Sequence, residues 1–451
     1  MKAERQPLTA HSPDDIIAWR VDGPVTTARF LADVARLAER LPAGGAMLNV
    51  CEDRYRFMVG LSAALVAGKV SLLPASQSPA TVRQLAAPYP DLFCLHDGKG
   101  AAAGLPALAY PDLPAPAAIP AMPEIAADRV AVILFTSGST GLPVAQAKTW
   151  GSLVANGRAE AARLGFLDAG GPSFTIVGTV PAQHSYGLES TVLLALHGGC
   201  AFWHGRPFYP ADIADALAAV PRPRLLVSTP FHLRALLDAG LPLPSADMIV
   251  SATAPLSRAL ARAAEVSLGG TLIEIYGCTE AGQLASRRTS ETDRWTPLPD
   301  VRLDQRDGVA HASGGHVPGR QRLGDVIELH DDGTFLLGGR HADMINIAGR
   351  RTSLAYLNHQ LLAIEGVEDG VFFMPDDAGP NGVEAVTRLA AFVVAPTLTS
   401  RRLLEILRER VDPVFLPRPL LLLERLPRNA TSKLPRETLL ALLEGHAGRA
   451  R

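Results

Sequence analysis

The chain has 451 residues, 47% hydrophobic and 20% charged, an ordinary globular composition with room for a large domain and a smaller one, or for two or three domains. Its 43 Lys and Arg nearly balance 45 Asp and Glu, for a formal net charge of -2, so no basic excess argues for nucleic acid or an anionic membrane. Cys51, Cys94, Cys200 and Cys278 are scattered without C-x-x-C spacing, which speaks against a zinc site or a disulfide framework. Residues 1–15 are polar, and no apolar run approaches the roughly 18 to 20 residues that cross a bilayer. The expectation is a cytoplasmic protein with reduced thiols and no membrane insertion.

In chain order, residues 46–50 predict a strand, 55–67 a helix with small apolar residues on one face, and 70–73 a second short strand. Such alternation is the pattern of a layered α/β domain with largely parallel sheets. Residues 101–128, rich in Ala and Pro, predict a surface connector. The apolar run 130–135 suits a strand buried on both faces. Directly after it comes Phe135-Thr136-Ser137-Gly138-Ser139-Thr140-Gly141-Leu142-Pro143. Hydroxyls and glycines concentrate there as they do where backbone amides and O–H groups wrap phosphate oxygens with no bulky Cβ in the way. Neither a Walker A motif nor a G-x-S-x-G nucleophile elbow aligns on it. Alone, the segment could be a plain Gly/Ser turn. Residues 324–339 predict a hairpin turning at Asp331-Asp332-Gly333, and residues 340–451 a separate small α+β domain with strands near 371–373 and 389–394 and a helix near 401–411.

The loop resembles the signature of the adenylate-forming superfamily, which includes acyl- and aryl-CoA synthetases, luciferases and nonribosomal adenylation domains. Six further segments resemble its motifs in the family's order. Pro181-Ala182-Gln183-His184-Ser185-Tyr186-Gly187 is similar to P-x-x-H-x-x-G, and Ser251-Ala252-Thr253-Ala254-Pro255-Leu256 to S-G-G-A-P-L with both glycines replaced. Glu274-Ile275-Tyr276-Gly277-Cys278-Thr279-Glu280 is similar to Y-G-x-T-E. Leu323-Gly324-Asp325 and Gly339-Arg340-His341-Ala342-Asp343 resemble T-G-D and G-R-x-x-D, and Leu426-Pro427-Arg428-Asn429-Ala430-Thr431-Ser432-Lys433-Leu434-Pro435-Arg436 resembles the segment bearing the family's catalytic lysine.

The resemblance implies a large layered α/β domain, residues 1–339, holding ATP and the acyl pocket, and a small mobile α+β lid, residues 340–451. Thr136, Ser137, Gly138, Ser139, Thr140 and Gly141 would hold phosphate, with Tyr276 on adenine and Asp325 and Arg340 on ribose. Glu280 would hold Mg²⁺, Thr279 the α-phosphate, and Lys433 the reacting carboxylate and phosphate. His184, Gly187, Ala252, Gly277 and Cys278 would border the acyl pocket. Ala342 and Asp343 would form the hinge, and Gly349 would let a pantetheine arm pass. Val144 stands where the family carries a loop lysine, and the nearest lysine is Lys148. Ser432 stands where glycine is usual. The implied reaction is ATP-dependent activation of a carboxylic acid, followed by transfer to a thiol. The compact chain resembles stand-alone ligases that load an aromatic acid onto the phosphopantetheine of a separate acyl carrier protein. An aryl- or medium-chain acyl-CoA ligase, with CoA as acceptor, is the alternative. A non-catalytic nucleotide-binding relative is the alternative from another class.

Overall fold

The computed structural model describes residues 4–74, 79–98, 104–113, 120–137, 143–168, 171, 173–340, 344–347, 350–375, 389–428 and 434–449. Among the expected site residues, Gly138, Ser139, Thr140, Gly141, Ala342, Asp343, Gly349 and Lys433 lie outside these. Thr136, Ser137 and Arg340 are described by their backbone.

Two sheets organise the first three-quarters of the chain. In the first, strands Phe93–His96, Ala46–Asn49, Val70–Leu73 and Val130–Ser137 run parallel in that spatial order. Ala107–Ala109 adds on one edge and the antiparallel Pro143–Thr149 on the other. The expected strand at 130–135 is borne out: Ala131, Val132, Ile133 and Leu134 are all buried. The segment 101–128 is more than a connector, because Ala107–Ala109 and Glu124–Ala126 each pair as short strands.

The helix expected at 55–67 forms at Arg54–Val66, started by Asp53, whose side chain accepts from the Arg56 amide at 2.9 Å. Only Arg56 and Val66 in it are not buried. Tyr55, Phe57, Met58, Val59, Leu61, Ala63, Ala64 and Leu65 are all buried, so small apolar residues on one side understate a helix packed nearly all round. Arg54 is buried as well, its Nη2 donating to the Gly178 and Val180 carbonyls at 3.1 and 2.7 Å.

The second sheet has nine strands among the described residues. Thr175–Gly178, Arg224–Ser228, Met248–Ser251 and Thr271–Cys278 are adjacent and parallel, and their apolar runs reflect burial on both faces. Their C-terminal ends therefore open along one sheet edge, where ligands bind in open α/β sheets. The chain reverses after Cys278 into the antiparallel Gly282–Arg287.

The expected hairpin is present, with Asp325–Leu329 antiparallel to Phe335–Arg340 and a left-handed Gly333 in the turn. Beyond it, strands Asp369–Phe373, Ala390–Val394 and Leu420–Leu422 form a sheet with helices Leu354–Leu362, Ser400–Arg408 and Arg436–Arg449. Leu357, Leu361, Phe372, Ala391, Leu403 and Leu407 gather in a core of their own. Ser353 Oγ starts the Leu354–Leu362 helix and donates to the Gly338 carbonyl at 2.5 Å. At Gly339 the backbone is left-handed (φ +103°), and a Cβ there would meet Ser353 Oγ at 2.6 Å. A glycine is needed just before Arg340 for both reasons.

Candidate active site

The strand Thr271–Cys278 and its return partner Gly282–Arg287 carry the centre of the site. Their register shifts between Tyr276 and Gly277, and a Cβ on Gly277 would lie 2.4 Å from the Gly282 carbonyl oxygen. Only glycine permits that approach. Thr279, Glu280 and Ala281 form the tip, closed by the Ala281 amide donating to the Cys278 carbonyl at 3.2 Å and by Gly282 at φ +83°. Thr279 and Glu280 are half-buried there, neither sealed in nor free in solvent.

Tyr276, also half-buried, has its ring against Trp295 and Phe335, with centroids 5.7 and 5.9 Å away. Its hydroxyl donates to Asp325 Oδ2 at 2.7 Å. Asp325 lies directly opposite Arg340 in the hairpin register, so a spacing of fifteen positions along the chain becomes a cross-strand pair. An aromatic ring, a carboxylate and the backbone of an arginine are thus brought to one place by two hairpins.

The 181–187 segment follows the strand Thr175–Gly178. His184, half-buried, precedes the short helix Ser185–Gly187, and a buried π-helix, Leu188–Leu193, continues it. Such helices recur at functional sites. What demands glycine at 187 is packing, since a Cβ would fall 1.9 Å from the Pro181 carbonyl oxygen. Tyr186 was missed as a site residue by sequence reasoning, although it lies inside the quoted motif. Its hydroxyl reaches the Ser228 and Val250 carbonyls, both at 3.0 Å, and so ties this segment to the ends of two central strands. Ala252 is buried at the end of Met248–Ser251, and the next residue, Thr253, has φ +80°. That backbone suits glycine and strains a β-branched residue. Burial pushes the half-buried Cys278 thiol up to about 12, so it stays protonated at neutral pH and is no nucleophile.

The phosphate-loop segment sits between Val130–Ser137 and Pro143–Thr149, which pair with Val144 opposite Thr136 and Lys148 opposite Val132. Val144 is 47% exposed beside the loop. Lys148, four residues further, is about 13 Å away along the strand. It is 5% exposed, and its Nζ donates to the Glu280 carbonyl oxygen at 2.7 Å. Sequence reasoning left its place open; a single Lys in the otherwise uncharged strand Pro143–Thr149 was the available signal.

Among the described residues no group of three or more His, Cys, Asp or Glu gathers to hold a metal. A single half-buried carboxylate, Glu280, fits Mg²⁺, which takes most of its oxygens from phosphates and water. No helix among the described residues is long and apolar enough to cross a membrane.

The family described as AMP-binding enzyme matches residues 17–311. The chain is 30% identical to a 4-coumarate–CoA ligase of Rhodobacter capsulatus over 61% of its length and 66% of that protein's, just under two thirds. It is 30% identical to a 4-coumarate–CoA ligase of Halorhodospira halophila, over 66% of this chain and 73% of that one. In fold it is similar to o-succinylbenzoate CoA synthetase of Bacillus subtilis, solved with its acyl-adenylate intermediate. The TM-score is 0.79 at 20% identity, over 97% and 98% of the two chains. The chain belongs to the AMP-binding enzyme family, within the adenylate-forming superfamily.

Proposed function

We infer that this chain activates an aromatic carboxylic acid as its acyl-adenylate, releasing pyrophosphate, and passes the acyl group to the phosphopantetheine thiol of a separate acyl carrier protein. The observation that carries the adenylation step is the convergence of Tyr276 and Asp325, joined by a hydrogen bond, beside the tip that presents Thr279 and Glu280. In this reading Tyr276 packs its ring against adenine, Asp325 and Arg340 hold the ribose, and Thr136 to Gly141 wrap the phosphates. Mg²⁺, held by Glu280, would supply charge neutralisation at the phosphates. His184, Ala252, Gly277 and Cys278 wall the acyl pocket, with Gly187 packing behind it. Catalysis here is positioning plus electrostatics, as elsewhere in phosphoryl-group chemistry.

Residues 340–451 act as a lid that turns about Ala342 and Asp343, bringing Lys433 to the reacting carboxylate. Gly349 leaves room for the pantetheine arm in the second half-reaction. Aromatic substrates are supported by the 4-coumarate–CoA ligases among the relatives. Those same names favour CoA as acceptor equally, so the acyl-CoA ligase is the second reading. The test takes the best acid from a panel scored by pyrophosphate release and offers CoA or holo-carrier, following products by mass. Acyl-adenylate that accumulates with CoA and is discharged by carrier supports the first reading; efficient acyl-CoA formation at micromolar CoA establishes the second.

A further inference from the structure

We propose that Lys148 is a positioning residue that fixes the main chain of Glu280 to the hairpin carrying the phosphate loop. The inference rests on the placement of ATP given above and assigns a task to a lysine which that reading leaves out.

The first support is mechanical. Lys148 belongs to Pro143–Thr149, paired residue by residue with Val130–Ser137, so it moves with the two strands that frame the loop. Its Nζ reaches across 132 positions of chain to the Glu280 carbonyl at 2.7 Å. Glu280 sits at a hairpin tip whose own closure is the Ala281–Cys278 bond, one residue further on. A charged donor on the Glu280 carbonyl sets the direction in which the Glu280 side chain leaves the backbone. Hydrogen bonds of that kind are about twice as strong as neutral ones.

The second support is electrostatic. A lysine only 5% exposed has given up most of its hydration. The acidic side chain that acts on it most strongly is Glu189, itself 4% exposed. Ser185 Oγ donates to Glu189 Oε1 at 2.8 Å, and the Asn156 side chain also bonds it. Ser185 and Glu189 flank Gly187 in the 181–187 motif and the π-helix that follows. Lys148 therefore ties the hairpin framing the loop to the Glu280 tip and feels the charge of Glu189 in the segment after His184. A structural lysine tends to be solvated at its tip; this one has its tip on the carbonyl of the residue that would bear the metal.

The experiment compares Lys148→Met and Lys148→Arg with wild type in three readouts: thermal melting, calorimetric ATP binding with Mg²⁺ or EDTA, and acid-dependent pyrophosphate exchange against Mg²⁺ concentration. For Lys148→Met the expected results are a cooperative melt, unchanged ATP binding in EDTA, a Mg²⁺ requirement raised at least threefold and exchange reduced at least tenfold. Lys148→Arg, which keeps a charged donor, recovers most of both. A Met variant that only melts earlier, with wild-type Mg²⁺ dependence of binding and rate, overturns the proposal. Should that variant not fold, amide exchange in the wild type decides: Mg–ATP must slow exchange in 144–149 and 277–283 together, and protection of one segment alone overturns the coupling. Wild type that binds Mg–ATP yet shows no exchange with any acid would count against the proposed function, while the binding and amide-exchange results still judge Lys148.

Discussion

The Tyr276 hydroxyl donates to Oδ2 of Asp325 at 2.7 Å, joining the strand that ends in Thr279 and Glu280 to the hairpin that ends in Arg340. The bond orients the carboxylate, and the aromatic ring rests against Trp295 and Phe335. A ribose contact is nearly the same in ground and transition states, so its loss acts on binding. Asp325→Ala should raise the ATP KM about tenfold and change kcat by no more than about threefold. Tyr276→Phe, which removes one hydrogen bond worth about 1 kcal/mol, should raise the ATP KM roughly fivefold. Steady-state kinetics with ATP varied are the check. A normal KM with a collapsed kcat contradicts the ribose role.

Glu160 is fully buried, accepts from Ser190 Oγ at 2.7 Å, and is pushed by burial up to about 8. Glu189 nearby is pushed up to about 7. A carboxyl raised in the folded state stabilises fully below its unfolded value and loses that contribution as pH rises through the folded value. Burial lowers His316, His197 and His232 to about 4, about 3 and about 4, and because the unfolded imidazole titrates near 6.5 each offsets only about 0.4 kcal/mol across this window. Between pH 6.5 and 8 the fold should therefore lose about 1–2 kcal/mol through Glu160. Melting temperatures measured across that range should fall in the wild type and fall less in Glu160→Gln. Parallel curves for the two proteins would rule out Glu160 as the source.

How much of this was legible in sequence varies with how local the cause is. The strand 130–135 and the hairpin 324–339 were readable because continuous apolar runs and an Asp-Gly turn state their own geometry. The pairing of Asp325 with Arg340 was readable as a spacing, since a hairpin turns a fixed separation into a register. Lys148 was not, because its partner is the carbonyl of Glu280, a main-chain atom that no residue type announces. Likewise the burial of nearly every residue of Arg54–Val66 depends on what packs against it, not on its own periodicity.

Thr253 illustrates a departure from the family pattern whose reason is conformational. It is exposed, so its side chain makes little packing, yet it holds φ +80° where the related motif has glycine. A left-handed β-branched residue costs about 1–3 kcal/mol, of which glycine's greater chain entropy offsets about 0.5–1 kcal/mol. Thr253→Gly should thus raise stability by about 1 kcal/mol, seen as a higher melting temperature. A drop would show that the Thr side chain contributes contacts that outweigh the strain.

Cys278 occupies the variable position of the 276–280 motif, and its thiol stays protonated through neutral pH because burial raises it to about 12. Cys278→Ala should keep exchange activity within about threefold, altering preference among acids before it alters rate. Iodoacetamide should modify it slowly at pH 7. Rapid alkylation with loss of all activity that Cys278→Ala shares would restore a nucleophilic role.

The most direct test of the whole account is carboxylate-dependent ATP–pyrophosphate exchange, run side by side on wild type and Lys433→Ala with a panel of aromatic and aliphatic acids. Removing one preorganised charge stabiliser typically costs about 3 kcal/mol or more in the transition state. The expected result is exchange driven by an aromatic acid such as a hydroxybenzoate or hydroxycinnamate, slowed at least about a hundredfold in a Lys433→Ala protein that still folds and binds ATP. Folded wild type that binds ATP but exchanges pyrophosphate with none of the acids would contradict it.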